Sequence, residues 1–273
     1  MKKKPRRLAY RVALVWLALV LLAALTADWL PLPDALAQSL SDMLTPPSAA
    51  HWFGTDSLGR DVFARTVHGF RITLTVSLVS VALALVAGTA IGVCAGYFRG
   101  WVERVILTVN DVFLAFPPLV LVIAVVAYPG PALLKVVLAL VIVFVPAVTR
   151  IARANTLRLA GMEFVTAARA AGMSDARLLW RELLPNLVPP MLAYGLLMVA
   201  VGALAEAALS FLGLGVPPPA PSLGSMMAGE QARVMEAPHA VFFPALMLFL
   251  TIFALNIVGE DVQRRHDGRA GAA

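Results

Sequence analysis

Long apolar segments dominate this sequence and restrict what it can fold into. About 20 consecutive apolar residues in a helix are needed to cross a hydrocarbon core roughly 30 Å thick. Segments that approach or exceed this length occupy about 12–27, 72–98, 112–128, 133–149, 187–212 and 240–258. Only 14% of the 273 residues are charged, compared with roughly 25% in soluble domains. The sequence therefore predicts an all-α membrane protein with six transmembrane helices.

The basic residues predict how these helices are oriented. Lys and Arg near the ends of a span are retained on the cytoplasmic side of the membrane. If the N-terminus is cytoplasmic, 17 of the 22 Lys and Arg residues fall in cytoplasmic segments, so we predict that both termini are cytoplasmic. The formal net charge of +6 does not indicate nucleic-acid binding, because the basic residues flank apolar segments instead of clustering on one soluble face.

The first apolar segment follows basic residues at positions 2–7 and is therefore also compatible with a signal peptide, with Ala35–Ala37 as a usable cleavage site. We favour an uncleaved anchor, and cleavage would leave the other five spans oriented as before. On this basis we predict an anchor helix and an extracytoplasmic segment in residues 1–70, a core domain in 71–260, and a cytoplasmic tail in 261–273.

Small residues recur at every fourth position of the second apolar segment, at Ala84, Gly88, Gly92 and Gly96. On a helix this spacing puts them on one face, where a second backbone can approach closely. We predict close helix packing along that face. The single cysteine, Cys94, and the four scattered histidines fit no metal-ligand spacing, so no metal site is predicted.

Polar residues inside or beside the apolar segments need a separate interpretation. Asn110 and Asp111 stand at the start of the third segment, where we expect a solvated helix end. Glu206 lies within 187–212 with no basic neighbour, and an intramembrane carboxylate is costly unless it faces a cavity or has a partner. Two interpretations of Glu206 stay open: a role in a pore or between helices, or a protonated, hydrogen-bonded structural residue.

Residues 150–186 form the only long segment between spans that is predicted to be cytoplasmic. Within it, residues of Glu163–Gly172 recur at the spacing of one helical face. They are Phe164, Ala167, Ala168 and Ala171. Gly172 is expected to end this helix in a left-handed conformation. The pattern therefore predicts a short amphipathic helix that stops at a glycine.

A second short helix is predicted after Gly172. Ser174 can cap its N-terminus, where Asp175 favours the positive end of the helix dipole, and Pro185 is expected to end it after Leu184. Two short helices hinged at a glycine could receive a protein partner. They could equally lie on the lipid surface, where six arginines would be attracted to anionic headgroups. The residues alone leave both interpretations open.

The same loop resembles the EAA motif of permease subunits in bacterial ABC importers. Five residues fall on that pattern: Ala167, Ala168, Gly172, Leu184 and Pro185. Thr166 stands where the motif usually has a glutamate, and Glu182 stands where it usually has an aliphatic residue, so Glu163 or Glu182 would have to supply any missing carboxylate. The resemblance implies that residues 163–185, including Arg169, form a coupling helix that docks on an ATPase subunit.

Other segments are similar to the second permease of dipeptide, oligopeptide and nickel importers. They are Phe53–Val62, Leu114–Pro117, Glu206–Gly215 and Pro221–Gly224. In the first of them, Asp56, Arg60 and Asp61 are expected to pair on the outer surface, where they would brace the extracytoplasmic segment or contact a binding protein. We favour bracing, because exposed ion pairs are common and contribute little energy.

The resemblance implies the type I ABC importer permease fold in a bacterial inner membrane. It also implies a second, homologous permease, two nucleotide-binding ATPase subunits, an extracytoplasmic solute-binding protein and surrounding membrane lipid as partners. The sequence contains no G-x-x-x-x-G-K-[ST] phosphate-binding loop. ATP and Mg²⁺ are therefore expected on the ATPase subunits, and this chain is predicted to carry no cofactor and no catalytic residue.

The expected solute is a di- or oligopeptide. Nickel or another small solute stays open as the alternative, because a separate binding protein largely sets the affinity. A secondary transporter or a channel is the competing class. Such proteins usually carry intramembrane charges for ion coupling or selectivity, and Glu206 alone is weak support for them. That class would also leave the long cytoplasmic loop without a function.

Overall fold

The computed structural model of the protein describes residues 4–127 and 132–270, with side chains for 8–127 and 133–264. Lys2, Lys3 and the last three residues, which belong to the predicted cytoplasmic ends, lie outside the described residues. The described chain contains ten α-helices. They are α1 Lys4–Thr26, α2 Val62–Phe98, α3 Gly100–Ala115, α4 Pro118–Val126, α5 Ala132–Ala160, α6 Glu163–Ala170, α7 Asp175–Leu178, α8 Leu184–Phe211, α9 Leu223–Glu230 and α10 Pro238–Ala270.

Shorter turns connect some of these helices. A π-helical turn, Leu179–Leu183, joins α7 directly to α8, and single 3-10 turns occur at Leu40–Asp42 and Gln231–Arg233. In the described part of the chain, extended pairing is confined to one isolated bridge between Thr55 and Asp61. The prediction of an all-α protein is confirmed.

Five stretches of helix are long and apolar enough to cross a membrane. They are Leu8–Thr26, Val62–Phe98, Leu133–Ala160, Asp175–Phe211 and Pro238–Arg264. The remaining apolar segment, 112–128, is not one continuous helix, because α3 and α4 meet at an angle of 87°. The prediction of six spans holds with this bent pair counted as one span.

Two adjacent prolines explain the bend. A residue that precedes proline is driven out of the helical conformation, and Phe116 and Pro117 have ψ angles of 138° and 129°. Pro118 then occupies the first turn of α4, where its missing N–H costs nothing. The proline pair therefore converts one apolar segment into two helices.

The expected solvated helix end at Asn110 and Asp111 is wrong, because both residues lie inside α3. Asn110 is buried, and its side-chain amide donates a hydrogen bond of 3.1 Å to the carbonyl of Pro146. Asp111 is exposed and accepts a hydrogen bond of 2.6 Å from Arg150. α3 starts about a dozen residues before the apolar segment, so Asn110 and Asp111 lie within the helix and not at its start.

The described residues form two compact units, which we describe separately. The first, unit 1, contains residues 4–79, 132–137 and 199–258. Its core includes Val20 and Ala24 of α1, and Leu248 of α10. The indole N–H of Trp16 donates to the hydroxyl of Thr251 at 3.2 Å. These contacts hold the N-terminal helix against the last one.

An arginine near the start of α2 also fastens α1 to this unit. Arg71 donates from Nε to the carbonyl of Ala24 at 2.9 Å and from Nη1 to Asp28 at 2.8 Å. The carbonyl of Ala24 belongs to the last turn of α1, where a helix lacks internal donors. The Arg71 guanidinium also holds the pKa of Asp28 below its ordinary value.

Unit 2 contains residues 80–127, 138–198 and 259–270. Glycines of α2 pack against α5 in its centre: a Cβ added at Gly88 would lie 2.7 Å from the side chain of Val148, and one at Gly96 would lie 2.8 Å from that of Thr156. At Gly92 it would lie 2.5 Å from the carbonyl oxygen of Thr149. The predicted close packing along the small-residue face is confirmed.

Candidate functional site

The candidate coupling loop, residues 163–185, belongs entirely to unit 2 and begins with α6. Glu163 lies in the first turn of α6 and Arg169 in the last, which complements the helix dipole at both ends. Val165 is fully buried and anchors the helix. Ala167 and Ala171 are exposed, so part of the predicted small-residue face is open at the surface.

Gly172 ends α6 as predicted, with a φ of +79°. Its N–H donates to the carbonyl of Arg169 at 3.0 Å, and the N–H of Met173 donates to the carbonyl of Ala168 at 3.1 Å. This pair of hydrogen bonds is the Schellman arrangement, which satisfies carbonyls at a helix C-terminus. A Cβ at this position would meet nothing within 4 Å. The requirement for glycine therefore comes from the backbone conformation alone.

The second helix of the loop differs from its prediction. Ser174 occupies the N-cap position in an extended conformation, but its side chain makes no capping hydrogen bond. α7 does begin at Asp175, but it passes through the π turn into α8. The prediction that Pro185 ends this helix after Leu184 is therefore wrong.

The π turn explains how the helix continues through Pro185. Within this turn the N–H of Leu184 donates to the carbonyl of Leu179, five residues earlier. In a regular helix a proline ring clashes with the carbonyl four residues before it, and the wider π turn just before Pro185 changes that geometry. The loop is consequently rigid on its C-terminal side, because it is continuous with a long apolar helix.

The surface of the loop combines small, basic and aromatic side chains. Thr166 and Pro185 are exposed, and Leu184 is half-buried. Trp180 is 74% exposed and presents its indole at the surface of the loop. Among the described residues, neither Glu163 nor Glu182 forms an ion pair, so both carboxylates suggested as substitutes for the missing glutamate are available for contact. The loop therefore presents exposed side chains of several kinds, available for a partner or for the lipid surface.

Tyr97 is a functional candidate that sequence reasoning missed. It lies at the C-terminal end of α2, is 8% exposed, and its hydroxyl donates to the carboxylate of Asp175. The guanidinium carbon of Arg169 lies 5.2 Å from the centre of its ring, within the range of a cation–π interaction. The sequence did carry one signal for it: a tyrosine stands at the end of a predicted span, and a buried tyrosine hydroxyl usually needs a partner.

Glu206 is fully buried in α8 within unit 1. Ser210 Oγ donates to its Oε1 at 2.7 Å, while Oε2 has no hydrogen-bond partner among the described residues. α9 packs directly beside it, because a Cβ at Gly224 would overlap the carbonyl of Ala207. Burial, the Ser210 hydrogen bond and the packing of α9 agree with the structural interpretation of Glu206, and the choice between the two interpretations stays a prediction.

The residues predicted to pair on the outer surface are mostly buried. Asp56 is 4% exposed; its Oδ2 accepts from Arg60 Nε at 2.6 Å, and its Oδ1 accepts the backbone N–H groups of Leu58 and Arg60, each at 2.9 Å. The Asp56–Arg60 pair is therefore present, but its surface placement is wrong. A tight turn with positive φ at Gly54 and Gly59 folds this carboxylate back onto its own backbone.

Asp61 pairs with a different residue from the one expected. Its Oδ2 lies 2.8 Å from Nδ1 of His51, and its Oδ1 accepts the N–H of Ala64 at 2.7 Å. The second contact satisfies a donor in the first turn of α2. Asp61 therefore starts the helix that follows, which is a structural role.

Two further charged residues join Asp56 and Arg60, and sequence reasoning missed both. Arg65 is 5% exposed, donates to the carbonyl of Ala35 at 2.9 Å and lies 3.5 Å from Asp56. Glu230 is 4% exposed and accepts from Ser57 at 2.7 Å. We call Asp56, Arg60, Arg65 and Glu230 the charged cluster; they line a cavity of about 100 Å³. The cavity is therefore lined by two acidic and two basic side chains.

The fold and these sites define a multi-spanning helical membrane protein with a long, exposed loop between spans. The family model described as "Binding-protein-dependent transport system inner membrane component" matches residues 88–271. A glutathione transport system permease protein, GsiD, of Pectobacterium atrosepticum is 41% identical over 217 residues, which make up 80% of this chain and 72% of the relative. A dipeptide transport system permease protein, DppC, of Alkalihalophilus pseudofirmus is 37% identical over 252 residues, or 92% and 83% of the two chains.

A solved structure agrees with this at the level of the fold. An inward-facing MetNI methionine ABC transporter chain superimposes with a TM-score of 0.62 at 17% identity, covering 74% of this chain and 96% of the other. The chain belongs to the family of binding-protein-dependent transport permeases, and it is a permease subunit of an ABC importer with the type I fold. The expected family, the type I permease fold and the role as a permease subunit are confirmed, and the subunit serves translocation, not catalysis.

Proposed function

We propose that this chain forms half of the translocation pathway of an importer for short peptides, including glutathione-like tripeptides. The observation that carries the proposal is its identity to two permeases whose names specify related solutes, 37% over 92% of the chain for dipeptides and 41% over 80% for glutathione. Dipeptides and glutathione share amide bonds with charged amino and carboxyl groups. A peptide solute is therefore a better proposal than nickel.

In this proposal, two ATPase subunits, a second permease and an extracytoplasmic binding protein complete the complex. ATP and Mg²⁺ bind to the ATPase subunits, which close on the nucleotide and move the candidate coupling loop. The exposed Ala167, Ala171 and Trp180 supply the contact surface. ATP binding can shift the permease between conformations only through contacts that differ between those conformations, and the loop supplies such contacts.

The proposed orientation has both termini in the cytoplasm of a bacterium and the chain in its inner membrane. The distribution of Lys and Arg supports it, because six arginines lie between Arg150 and Arg181, around the candidate coupling loop. The same orientation puts the charged cluster on the extracytoplasmic side. There it would brace the segment that a binding protein approaches.

The experiment is to purify the chain with its partners from native membranes and reconstitute the complex in proteoliposomes. We expect two ATPase subunits and a second permease to copurify, and radiolabelled dipeptide or glutathione to accumulate with ATP but not with ADP as the matched control. Accumulation driven by an ion gradient without ATP, or recovery of a homo-oligomer free of ATPase subunits, would contradict the proposal. Uptake of nickel with no competition from peptide would contradict the solute class.

A further inference from the structure

The candidate coupling loop contacts a helix that does not adjoin it in the sequence. Through the chain it joins α5 on one side and α8 on the other. Tyr97 reaches it from the end of α2, and its partner Asp175 is 78 residues away in sequence. The loop is therefore held by a third helix, at a point where none is expected from the order of the chain.

Tyr97 contacts the loop on both sides of its hinge, Gly172. Arg169 lies in α6 and Asp175 in α7, on opposite sides of Gly172. The ring of Tyr97 contacts the first and its hydroxyl contacts the second. One side chain thus bridges both arms of the loop, so rotation at Gly172 would break at least one of the two contacts.

The Tyr97 side chain, which bridges the two arms of the loop, also belongs to a region where α2 and α5 pack closely. Tyr97 is buried, and the residue before it, Gly96, is in close contact with Thr156 of α5. Each arm of the loop also has an apolar anchor, Val165 in α6 and Leu178 in α7, both fully buried. The loop, the end of α2 and α5 therefore form one packed block within unit 2. A block of this kind transmits displacement, whereas a hinged loop absorbs it.

We propose that Tyr97 is a positioning residue that locks the two arms of the candidate coupling loop together and passes their displacement to α2. This inference rests on the proposed function, because it assumes that an ATPase moves the loop. The hydroxyl is the essential group, because it donates to Asp175 and also interacts with the Arg169 guanidinium, whereas a phenyl ring keeps only the face contact with Arg169. Without the hydroxyl the loop still binds the ATPase, but α6 can turn about Gly172 relative to α7, which stays continuous with α8.

The test uses the complete reconstituted complex with Tyr97→Phe, which removes only the hydroxyl. We expect unchanged recovery of the ATPase subunits and an unchanged KM for ATP, with about a tenfold drop in solute transported per ATP hydrolysed, the factor associated with losing one hydrogen bond to a charged group. Tyr194→Phe is the matched control. Tyr194 is a half-buried tyrosine of the same unit with no hydrogen bond among the described residues, and its substitution should leave the ratio unchanged.

A double substitution separates positioning from general damage. Asp175→Ala, which removes the acceptor, should lower the same ratio, and Tyr97→Phe combined with Asp175→Ala should be no worse than the more impaired single variant, because both substitutions remove the same hydrogen bond. A transport ratio in Tyr97→Phe equal to that of the wild type overturns the inference, and so do losses that multiply in the double variant. Failure of the wild-type complex to take up solute with ATP would instead overturn the proposed function, so the two failures are distinguishable.

Discussion

The two units differ in how they treat their charged residues. Unit 1 buries five charged side chains by more than nine-tenths: Asp56, Asp61, Arg65, Glu206 and Glu230. Among the described residues of unit 2, no charged side chain is buried to that extent. Its Arg150–Asp111 pair is typical, with side chains 53% and 62% exposed. Breaking a buried ionic network is costly, whereas an exposed pair contributes little and rearranges easily.

This difference agrees with the role proposed for each unit: bracing in unit 1 and coupling to the ATPase in unit 2. The charged cluster holds the segment before α2 in one arrangement, since its members satisfy one another and the backbone around them. Unit 2 instead uses backbone contact between α2 and α5 for rigidity, and the charged side chains in its described part are all at least partly exposed. Charged groups that meet a moving partner have to be exposed, so the contrast agrees with the proposed function as well as with stability.

The largest effect is expected from Asp56→Ala. The change leaves Arg60 and Arg65 without their shared carboxylate, with side chains only 15% and 7% exposed, and removes the acceptor for two backbone N–H groups. We expect a loss of about 3–5 kcal/mol in the free energy of unfolding and little folded protein. Thermal unfolding in detergent checks this. The exposed Glu236→Ala serves as control and should stay within about 0.5 kcal/mol of the wild type; similar melting of the two variants would remove the contrast between the units.

A smaller but clear loss is expected in unit 2 from Gly92→Leu. Its Cβ would lie 2.5 Å from the carbonyl oxygen of Thr149 and 2.6 Å from the Cβ of Ala152, so α2 and α5 must separate. Overpacking of this kind costs about 1–3 kcal/mol, measurable as a lower melting temperature. Gly161→Ala is the control in the same unit, because its Cβ would approach nothing closer than 3.6 Å. Equal stability of the two variants would mean that backbone contact does not hold unit 2 together.

Gly172→Val tests the cap of the candidate coupling loop. A left-handed conformation costs a non-glycine residue about 1–2 kcal/mol. The cost for valine is expected near the top of this range, because its side chain is branched at Cβ. We expect normal assembly and reduced transport per ATP. Gly172→Asn should be milder, since asparagine tolerates this conformation better. Wild-type transport in the valine variant would show that the cap is dispensable.

Arg150→Ala should have the smallest effect. The exposed pair with Asp111 is expected to contribute about 0.5 kcal/mol or less, so the melting temperature should hardly change. A destabilisation comparable to that of Asp56→Ala would show that surface pairs support unit 2 after all, and the comparison between the units would then need revision.

Local patterns in the sequence predicted much of what the structure contains. The apolar segments predicted the spanning helices, because crossing a membrane requires a particular length and composition. Four-residue spacing predicted which face of α2 packs closely, and the glycine after α6 predicted its left-handed cap. Each of these features depends on residues a few positions apart. The motifs that carry the family resemblance are also short, contiguous segments.

Other features needed the folded chain. The pairing of Tyr97 with Asp175 and that of Ser57 with Glu230 join residues 78 and 173 positions apart, and no spacing rule connects them. The burial of Asp56 was misjudged for the same reason, since charges near a span end are usually exposed and only the packed turn shows otherwise. The continuation of the helix through Pro185 depends on a π turn, and the residue types around it do not predict that turn.

What the sequence by itself determined is the class of the protein: its helical membrane architecture, its exposed loop and its kinship with importer permeases. Those follow from hydrophobic length, from periodicity and from motif residues that neighbour one another. Only the tertiary structure decided which polar groups are buried together and which helix holds the loop. The physical reason is that a buried charge or hydroxyl is stable only beside its partner, and the fold decides which distant residue that partner is.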